Sequence, residues 1–302
     1  MLNIYEQVDL NKRRSALIIL LFTVFGAGFI WAIGQLLDSS VNLLLPAIIF
    51  SSASSLGGYF WGDKIVLNLS GAKPAERNEY FNFYTAAENL AIAAQIPTPK
   101  LCIIESPAMN AFATGRDPEH AVVCATTGLL ESLNKSEIEA VIGHEISHIT
   151  NYDIRLMTIV AVLVGVISLA ANWALRISRF SGSKDSRGGK KSANPVLMAI
   201  SLLAIVLAPI GAKLIQLALS RRREYLADAS SVKLTKQPAE LISALKKLTA
   251  SRAVLATASP ATAHLYIVNP FSGIKNGFAK FQTLFSTHPP IEERIATLEK
   301  ML

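Results

Sequence analysis

Cysteine is almost missing from this sequence. Only Cys102 and Cys124 occur, 22 residues apart and in no CxxC pair, which excludes a disulfide framework and a cysteine-based zinc knuckle. They read as two small buried side chains in a reducing compartment. Charge is scarce as well: 17% of the 302 residues are charged, against about 25% in an ordinary soluble domain. The net charge of +7 invites nucleic acid as a partner, but the cations are not interleaved with aromatics as a base-stacking surface requires. They flank apolar runs instead, Lys12, Arg13 and Arg14 before the first and Arg221, Arg222 and Arg223 after the last. Cations in such places set membrane orientation and meet anionic lipid. No internal repeat is present.

What the chain has in excess is apolar length. Hydrophobic residues make up 51% and the mean hydropathy is +0.38. Ser15–Leu37, Val41–Gly62 and Leu156–Leu175 run for 23, 22 and 20 residues without a charge, and Pro195–Ala212 adds 18 more, with apolar character continuing to Ser220. About 20 apolar residues in a helix cross about 30 Å of hydrocarbon, so about four transmembrane helices are expected. The first run exceeds the apolar core of a removable signal peptide and a second follows at once, so it reads as a retained span.

The chain accordingly divides into an N-terminal arm at 1–14, a membrane hairpin at 15–62, a polar block at 63–155, a second hairpin at 156–220 with a basic loop at 176–194, and a second polar block at 221–302. Glu76–Gln95 reads as a helix. "LCIIE", "NAFATG" and "AVVCATT" read as short strands, the last two around the turn "GRDPEH". Ser136 and Glu139 have the spacing of a capping box and start a helix. Pro238 opens another, and "THPPIEERIATLEKML" repeats that pattern. The fold class is mainly α with a small β-sheet.

The helix begun near Ser136 carries "AVIGHEISHITNYD". His144 and His148, at i and i+4, share one face and can share a metal. Glu145, turned about 100° from His144, can reach a water on the metal's open position and act as general base. From composition alone an HExxH would arise by chance in roughly 0.4% of such chains, so a pair of ordinary surface histidines is the poorer reading. A hydrolytic zinc site takes a third protein ligand. "RRREYLADAS" offers Glu224 and Asp228, again at i and i+4, and Asp228 can accept a hydrogen bond from a ligating imidazole and fix its tautomer.

Together "HEISHITNYD", "EYLADA", "NAFATG" and "THPPIEER" resemble the M48 family of metallopeptidases, in the family's order and over nearly the whole chain. The spacing to four apolar runs is similar to the family's HtpX-like branch of bacteria and archaea. The resemblance implies an α+β zincin-like catalytic domain with one Zn2+ per chain. It implies His144, His148 and Glu224 as metal ligands, Glu145 as the catalytic residue and Asp228 as the partner of a ligating imidazole. It also implies that Asn110, Ala111, Phe112, Ala113, Thr114 and Gly115 form an edge strand for substrate backbone, and that His288 and Arg294 stabilise the oxyanion or support the site. His120 and His264 match nothing in the family. Tyr152 stands where family members often have glycine, and Tyr225 and Leu226 where they often have Phe-His.

The expected activity is that of an integral-membrane zinc endopeptidase acting on polypeptides, damaged or misfolded membrane proteins above all, in quality control and stress response. The alternative is a CAAX-type prenyl protease, an enzyme with more spans. A transporter with an incidental metal site would carry ionisable groups inside its spans, and the first three runs have none. A catalytically dead scaffold does not need an intact HExxH. For Glu224 to meet His144 and His148 the two polar blocks must share one face of the bilayer. Lys12, Arg13, Arg14, Lys64, Arg155 and Arg221–Arg223 make that face cytoplasmic in a cell membrane, while Arg176, Arg179, Lys184, Arg187, Lys190 and Lys191 in the loop at 176–194 pull the other way. Nucleic acid is not an expected partner, and no oligomeric state is implied.

Overall fold

The computed structural model describes residues 4–36, 44–181, 220–251, 253–271 and 289–302. The first three apolar runs lie in long helices, α1 (Ile4–Leu36), α2 (Leu44–Ser70) and α6 (Asp153–Ser181). Helix α2 packs on both neighbours through small residues, whereas α1 and α6 meet through Ile18, Leu156, Ile159, Val160, Leu163 and Val164. The buried face of α2 is Ala47, Ser51, Ser55, Gly58, Gly62 and Val66. A Cβ on Gly62 would come within 2.8 Å of Thr158 Cγ2 of α6, and one on Gly26 of α1 within 2.8 Å of Ser51 Oγ. Thr23 and Ser55 hydrogen-bond between α1 and α2 at 2.8 Å. The large apolar side chains face outward instead: Leu17, Leu20, Leu21 and Val24 on α1, and Leu45, Ile48, Ile49 and Phe50 on α2. Small inside and large outside is how helices associate in lipid, where burying a leucine gains nothing.

By length and composition, one helix among the described residues, α2, can cross a membrane, or two if α5 (Lys135–Thr150) and the start of α6, bent by 84°, are one broken span. The expectation of about four is therefore met only in part. The fourth run, Pro195–Ala212, and residues 182–194 of the basic loop lie outside the described residues, while 176–181, expected in that loop, are the last turns of α6.

The polar block folds as a four-stranded mixed sheet, β1 (Lys73–Pro74), β2 (Lys100–Ile104), β3 (Ala111–Thr114) and β4 (Val122–Thr126), in the order β1-β2-β4-β3. β2 and β4 are parallel, with Cys102 opposite Cys124. β3 and β4 are antiparallel, with Phe112 opposite Cys124, so β3 is the edge. Helix α3 (Phe81–Ala94) and α5 pack together beneath the sheet. The expected helix from Glu76 starts at Phe81 and stops at Gln95, whose φ of 56° ends it in the left-handed region. A short α4 (Thr127–Ser132) leads into α5.

Helix α5 is the centre of the domain, with 12 of its 16 residues buried. Its capping box is one pair earlier than the sequence suggests. Asn134 caps the N–H of Glu137 and Glu137 caps the N–H of Asn134, at 2.9 and 2.8 Å, so Ser136 and Glu139 fall inside the helix. Both pairs have the right spacing, and Asn134 wins because Glu137 is also held by Ser243 and Lys247 of α8 (Pro238–Ala250) at 2.6 and 2.7 Å. The remaining described helices are α7 (Arg221–Thr235) and α9 (Ile291–Glu299).

Candidate metal centre

Helices α5 and α7 approach closely because residue 143 is glycine. A Cβ there would lie 2.8 Å from Ser231 Oγ, and that hydroxyl is fixed by donating to the Ala140 carbonyl at 2.6 Å. The crossing carries Glu224 of α7 to the two histidines of α5. His144 Nε2 lies 3.7 Å from one Glu224 oxygen and His148 Nε2 lies 3.7 Å from the other. The two Nε2 atoms are 3.2 Å apart, and all three side chains are buried.

The opposite ring nitrogens explain that geometry. His144 Nδ1 faces Asp228 Oδ1 at 2.9 Å, and His148 Nδ1 faces Asp153 Oδ2 at 3.0 Å. A carboxylate accepts, so each Nδ1 donates, which leaves both Nε2 atoms as acceptors aimed at each other and at a carboxylate. Three electron-rich groups converging in a buried space need a positive charge between them. A proton on one ring is the least that relieves them, and His148 is pushed up to about 9: burial opposes its charge, and the Asp153 hydrogen bond with the charges of Glu224, Asp153 and Glu145 overcomes it. His144 moves down, through burial and the neighbouring Arg294 and His148. A divalent cation satisfies all three groups at once. Two imidazoles on a tetrahedral metal at 2.0–2.1 Å place their nitrogens about 3.3 Å apart, close to what is present, so the donor set fits a metal.

Glu145 is 1% exposed. Burial and the charge of Glu224 raise its carboxyl to about 7, against the pull of His148, Arg294 and the backbone N–H of Ala113. Arg294, fully buried, lies flat on Asp228, with Nε donating to one oxygen at 2.8 Å and Nη2 to the other at 2.6 Å. Burial alone would raise Asp228, and Arg294 with His144 brings it to about 2. Arg294 Nη1 is 3.7 Å from Glu224. His288 lies outside the described residues.

The edge strand is less open than the sequence suggests. Thr126 N–H donates to the Asn110 carbonyl at 3.0 Å, so ladder alternation turns Phe112 and Thr114 toward β4 and leaves Ala111 and Ala113 facing outward. The Ala111 carbonyl is already taken by the Ile267 N–H at 3.0 Å. Asn110 Nδ2 donates to the Val268 main-chain carbonyl at 2.9 Å, and Gly115 N–H donates to Thr158 Oγ1 at 3.1 Å. Of the six residues from Asn110 to Gly115, Ala113 is the one whose outward main chain lies beside Glu145. His264 is buried with Nε2 3.1 Å from the Met157 carbonyl, and His120 pairs with Asp117 at 2.6 Å on the β3–β4 loop. Both are away from the histidine pair.

Asp153 had no role assigned from sequence. It stands five residues after His148, off any helical face, and reaches back only because Asn151 and Tyr152 break the chain. Tyr152 has φ 59°, a conformation glycine adopts without strain. Here its ring is flanked by Lys12 at 4.4 Å and Arg155 at 4.9 Å.

Three comparisons bear on this centre. The profile of Peptidase family M48 matches residues 82–302. Proteins named "Protease HtpX homolog" from Streptococcus pneumoniae strains Hungary19A-6 and R6 are 42% identical to this chain over 307 aligned positions, spanning 99% of it and 100% of each relative. Among solved structures, the crystal structure of S. mikatae Ste24p aligns with a TM-score of 0.49 at 20% identity, over 97% of this chain and 66% of that one.

Proposed function

The chain belongs to peptidase family M48 and is a metallopeptidase; from that premise we propose that its metal is zinc, one ion per chain, held by His144, His148 and Glu224. The observation that carries this reading is the pair of imidazole Nε2 atoms 3.2 Å apart, each 3.7 Å from a Glu224 oxygen. When bound, zinc supplies a Lewis acid and a water of lowered pKa. The residues of the chain do the rest. Glu145, buried beside the two histidines, would be the general base toward that water and the general acid toward the leaving amine. Asp228 and Asp153 hold the Nδ1 protons and so fix which nitrogen faces the metal. Arg294 neutralises Asp228 and stands beside Glu224, which supports a role in holding the site together. The Ala113 N–H already meets Glu145, so what β3 offers the substrate backbone beside the base is the Ala113 carbonyl.

The substrates are polypeptides, and we place them in or against the bilayer. The outward leucines, isoleucines and phenylalanine of α1 and α2 support membrane embedding, and the cations at Lys12–Arg14, Lys64, Arg155 and Arg221–Arg223 support a cytoplasmic catalytic face in a multi-pass cell-membrane protein. The catalytic domain is split, with 63–155 and 221–302 brought together by α5 and α7. Damaged or misfolded membrane proteins, cut during stress, are the substrate class that fits. Nothing among the described residues favours CAAX-type specificity over this reading. Full-length chain purified in detergent tests it. The expected result is about one zinc per chain and cleavage of casein and of an unfolded membrane protein. A chain that binds no metal, or cleaves neither, overturns it.

A further inference from the structure

The N-terminal arm carries no motif, yet one of its residues reaches the metal centre. Asn11 of α1 is fully buried. Its Nδ2 donates to Asp153 Oδ1 at 2.7 Å and to the Asn151 carbonyl at 2.9 Å, and its Oδ1 lies 3.5 Å from Arg223 Nη1. That same Nη1 is 3.3 Å from Asp153 Oδ1. One oxygen of Asp153 is thus held by Asn11 and Arg223, while the other faces His148 Nδ1 at 3.0 Å. The amide orientation is settled by its partners, two acceptors on the nitrogen side and a cation on the oxygen side.

We propose that Asn11 is a positioning residue of the metal centre: by fixing Asp153 it fixes the tautomer and aim of His148, and so ties α1, the first membrane helix, to metal affinity. The inference rests on the reading of His148 as a ligand. Asp153 is the first residue of α6, just beyond the break at Tyr152, and a carboxylate in that place can turn about its own bonds. Arg223 restrains it at 3.3 Å, and Asn11 supplies the shorter contact and also pins the Asn151 carbonyl of the break. Arg223 is next to Glu224, so the cluster joins the two segments that between them carry all three proposed ligands. Groups that orient a ligating imidazole typically change metal affinity by about 10–100-fold.

The test uses full-length protein in detergent. Asn11→Leu keeps the branched outline and the number of side-chain heavy atoms and removes every side-chain hydrogen bond. Affinity for Co2+, a spectroscopic stand-in for zinc, is measured by chelator competition. The expected result is a loss of about 10–100-fold, with activity recovering as metal is raised. Ser15→Ala is the control: Ser15 is buried in the same helix and bonds the Asn11 carbonyl at 2.8 Å, so it perturbs the same turn without touching Asp153, and it should keep wild-type affinity. A purely structural Asn11 would lower the melting temperature and leave the affinity alone, which overturns the proposal. Linkage supplies a measurement that needs no variant. If Asn11 raises metal affinity, metal must in turn stabilise the Asn11 contacts, so Co2+ added to wild type should slow amide exchange in residues 8–15. Unchanged exchange overturns the proposal even if Asn11→Leu fails to fold. A wild type that binds no divalent metal overturns the ligand reading and the proposal together, whereas equal binding by wild type and Asn11→Leu overturns the proposal alone.

Discussion

A buried arginine cannot be left without its anion, and this decides how the acids of "EYLAD" should be tested. Asp228 is bidentate to Arg294, which has no exposed surface. Asp228→Ala therefore strands a buried charge, a change that costs about 3–5 kcal/mol, and its effect on the metal is lost in unfolding. Asp228→Glu keeps the anion and shifts it by one methylene. It is expected to stay folded, to weaken metal binding by about 10–100-fold and to regain activity in excess zinc, whereas Glu224→Ala should lose metal and activity and not regain them. Metal content and peptidase rate across a zinc titration check this, and rescue of Glu224→Ala in place of Asp228→Glu would reverse the two roles. Glu145 makes the opposite case. In the proposed site it is not a ligand, so Glu145→Gln is expected to keep one zinc per chain while losing at least the 10²–10⁴-fold that a general base contributes. Wild-type preparations should nick themselves and Glu145→Gln should stay intact. Near-normal turnover in Glu145→Gln would remove the mechanism.

Helices set these residues in place, and two features of α5 are testable. Gly143→Ala puts a methyl 2.8 Å from Ser231 Oγ, which cannot swing away without giving up its bond to Ala140. Helix α7 must then move, at about 1–3 kcal/mol, and Glu224, two turns from Ser231, moves with it. Lower stability together with lower metal affinity is expected, and Gly143→Ala combined with Ser231→Ala should recover part of both. Glu137 ties the start of α5 to α8. Burial disfavours its charge, but hydrogen bonds from Lys247, Ser243 and Asn134 more than compensate, so its carboxyl is held below the usual range. The unfolded chain takes up that proton first as pH falls. The stabilisation is complete above the ordinary carboxylate range and disappears as pH drops through the folded value. Glu137→Gln should cost about 1–2 kcal/mol at pH 7 and show a shallower loss of stability in acid; melts from pH 3 to 7 measure both. The helices and strands of this block were legible because their signals are local: HExxH with a cap upstream, Pro238, and three β-like runs between turns. Asp153, Asn11 and the Ile267 contact on β3 were not, because each depends on where a distant segment returns. The Asn134–Glu137 cap was not legible either, because Ser136 and Glu139 have the same spacing and only the contacts of Glu137 with Lys247 and Ser243 distinguish the two pairs.

At the scale of the molecule, the apolar runs announced membrane helices, but their number and crossing depend on contacts and on lipid that composition does not encode. The packing of α1, α2 and α6 through Gly26, Gly58, Gly62 and their partners makes α6 part of the same bundle as the first hairpin. If α6 crosses, its last turns with Arg176 and Arg179 and the segment 182–194 emerge opposite the catalytic domain in spite of their six cations. If it does not, that segment stays on the face of the catalytic domain, together with the cations Lys12–Arg14 and Arg221–Arg223. Single cysteines at Ser39, Ser186 and Lys135 separate the two arrangements in a chain whose Cys102 and Cys124 are replaced by alanine. Both native thiols are buried in the sheet, so replacing them alters little of the surface. Intact cells treated with a membrane-impermeant thiol reagent should label Ser39→Cys, in the loop between the first two runs, and should leave Lys135→Cys, at the start of α5, untouched until the cells are opened. Ser186→Cys is expected to label from outside like Ser39→Cys, because the bundle contacts of α6 continue along its buried face through Val162 and Leu163. Protection of Ser186→Cys alongside Lys135→Cys would mean that the second hairpin enters the bilayer without crossing it. The catalytic block would then sit on a single transmembrane hairpin, with α6 dipping beside it.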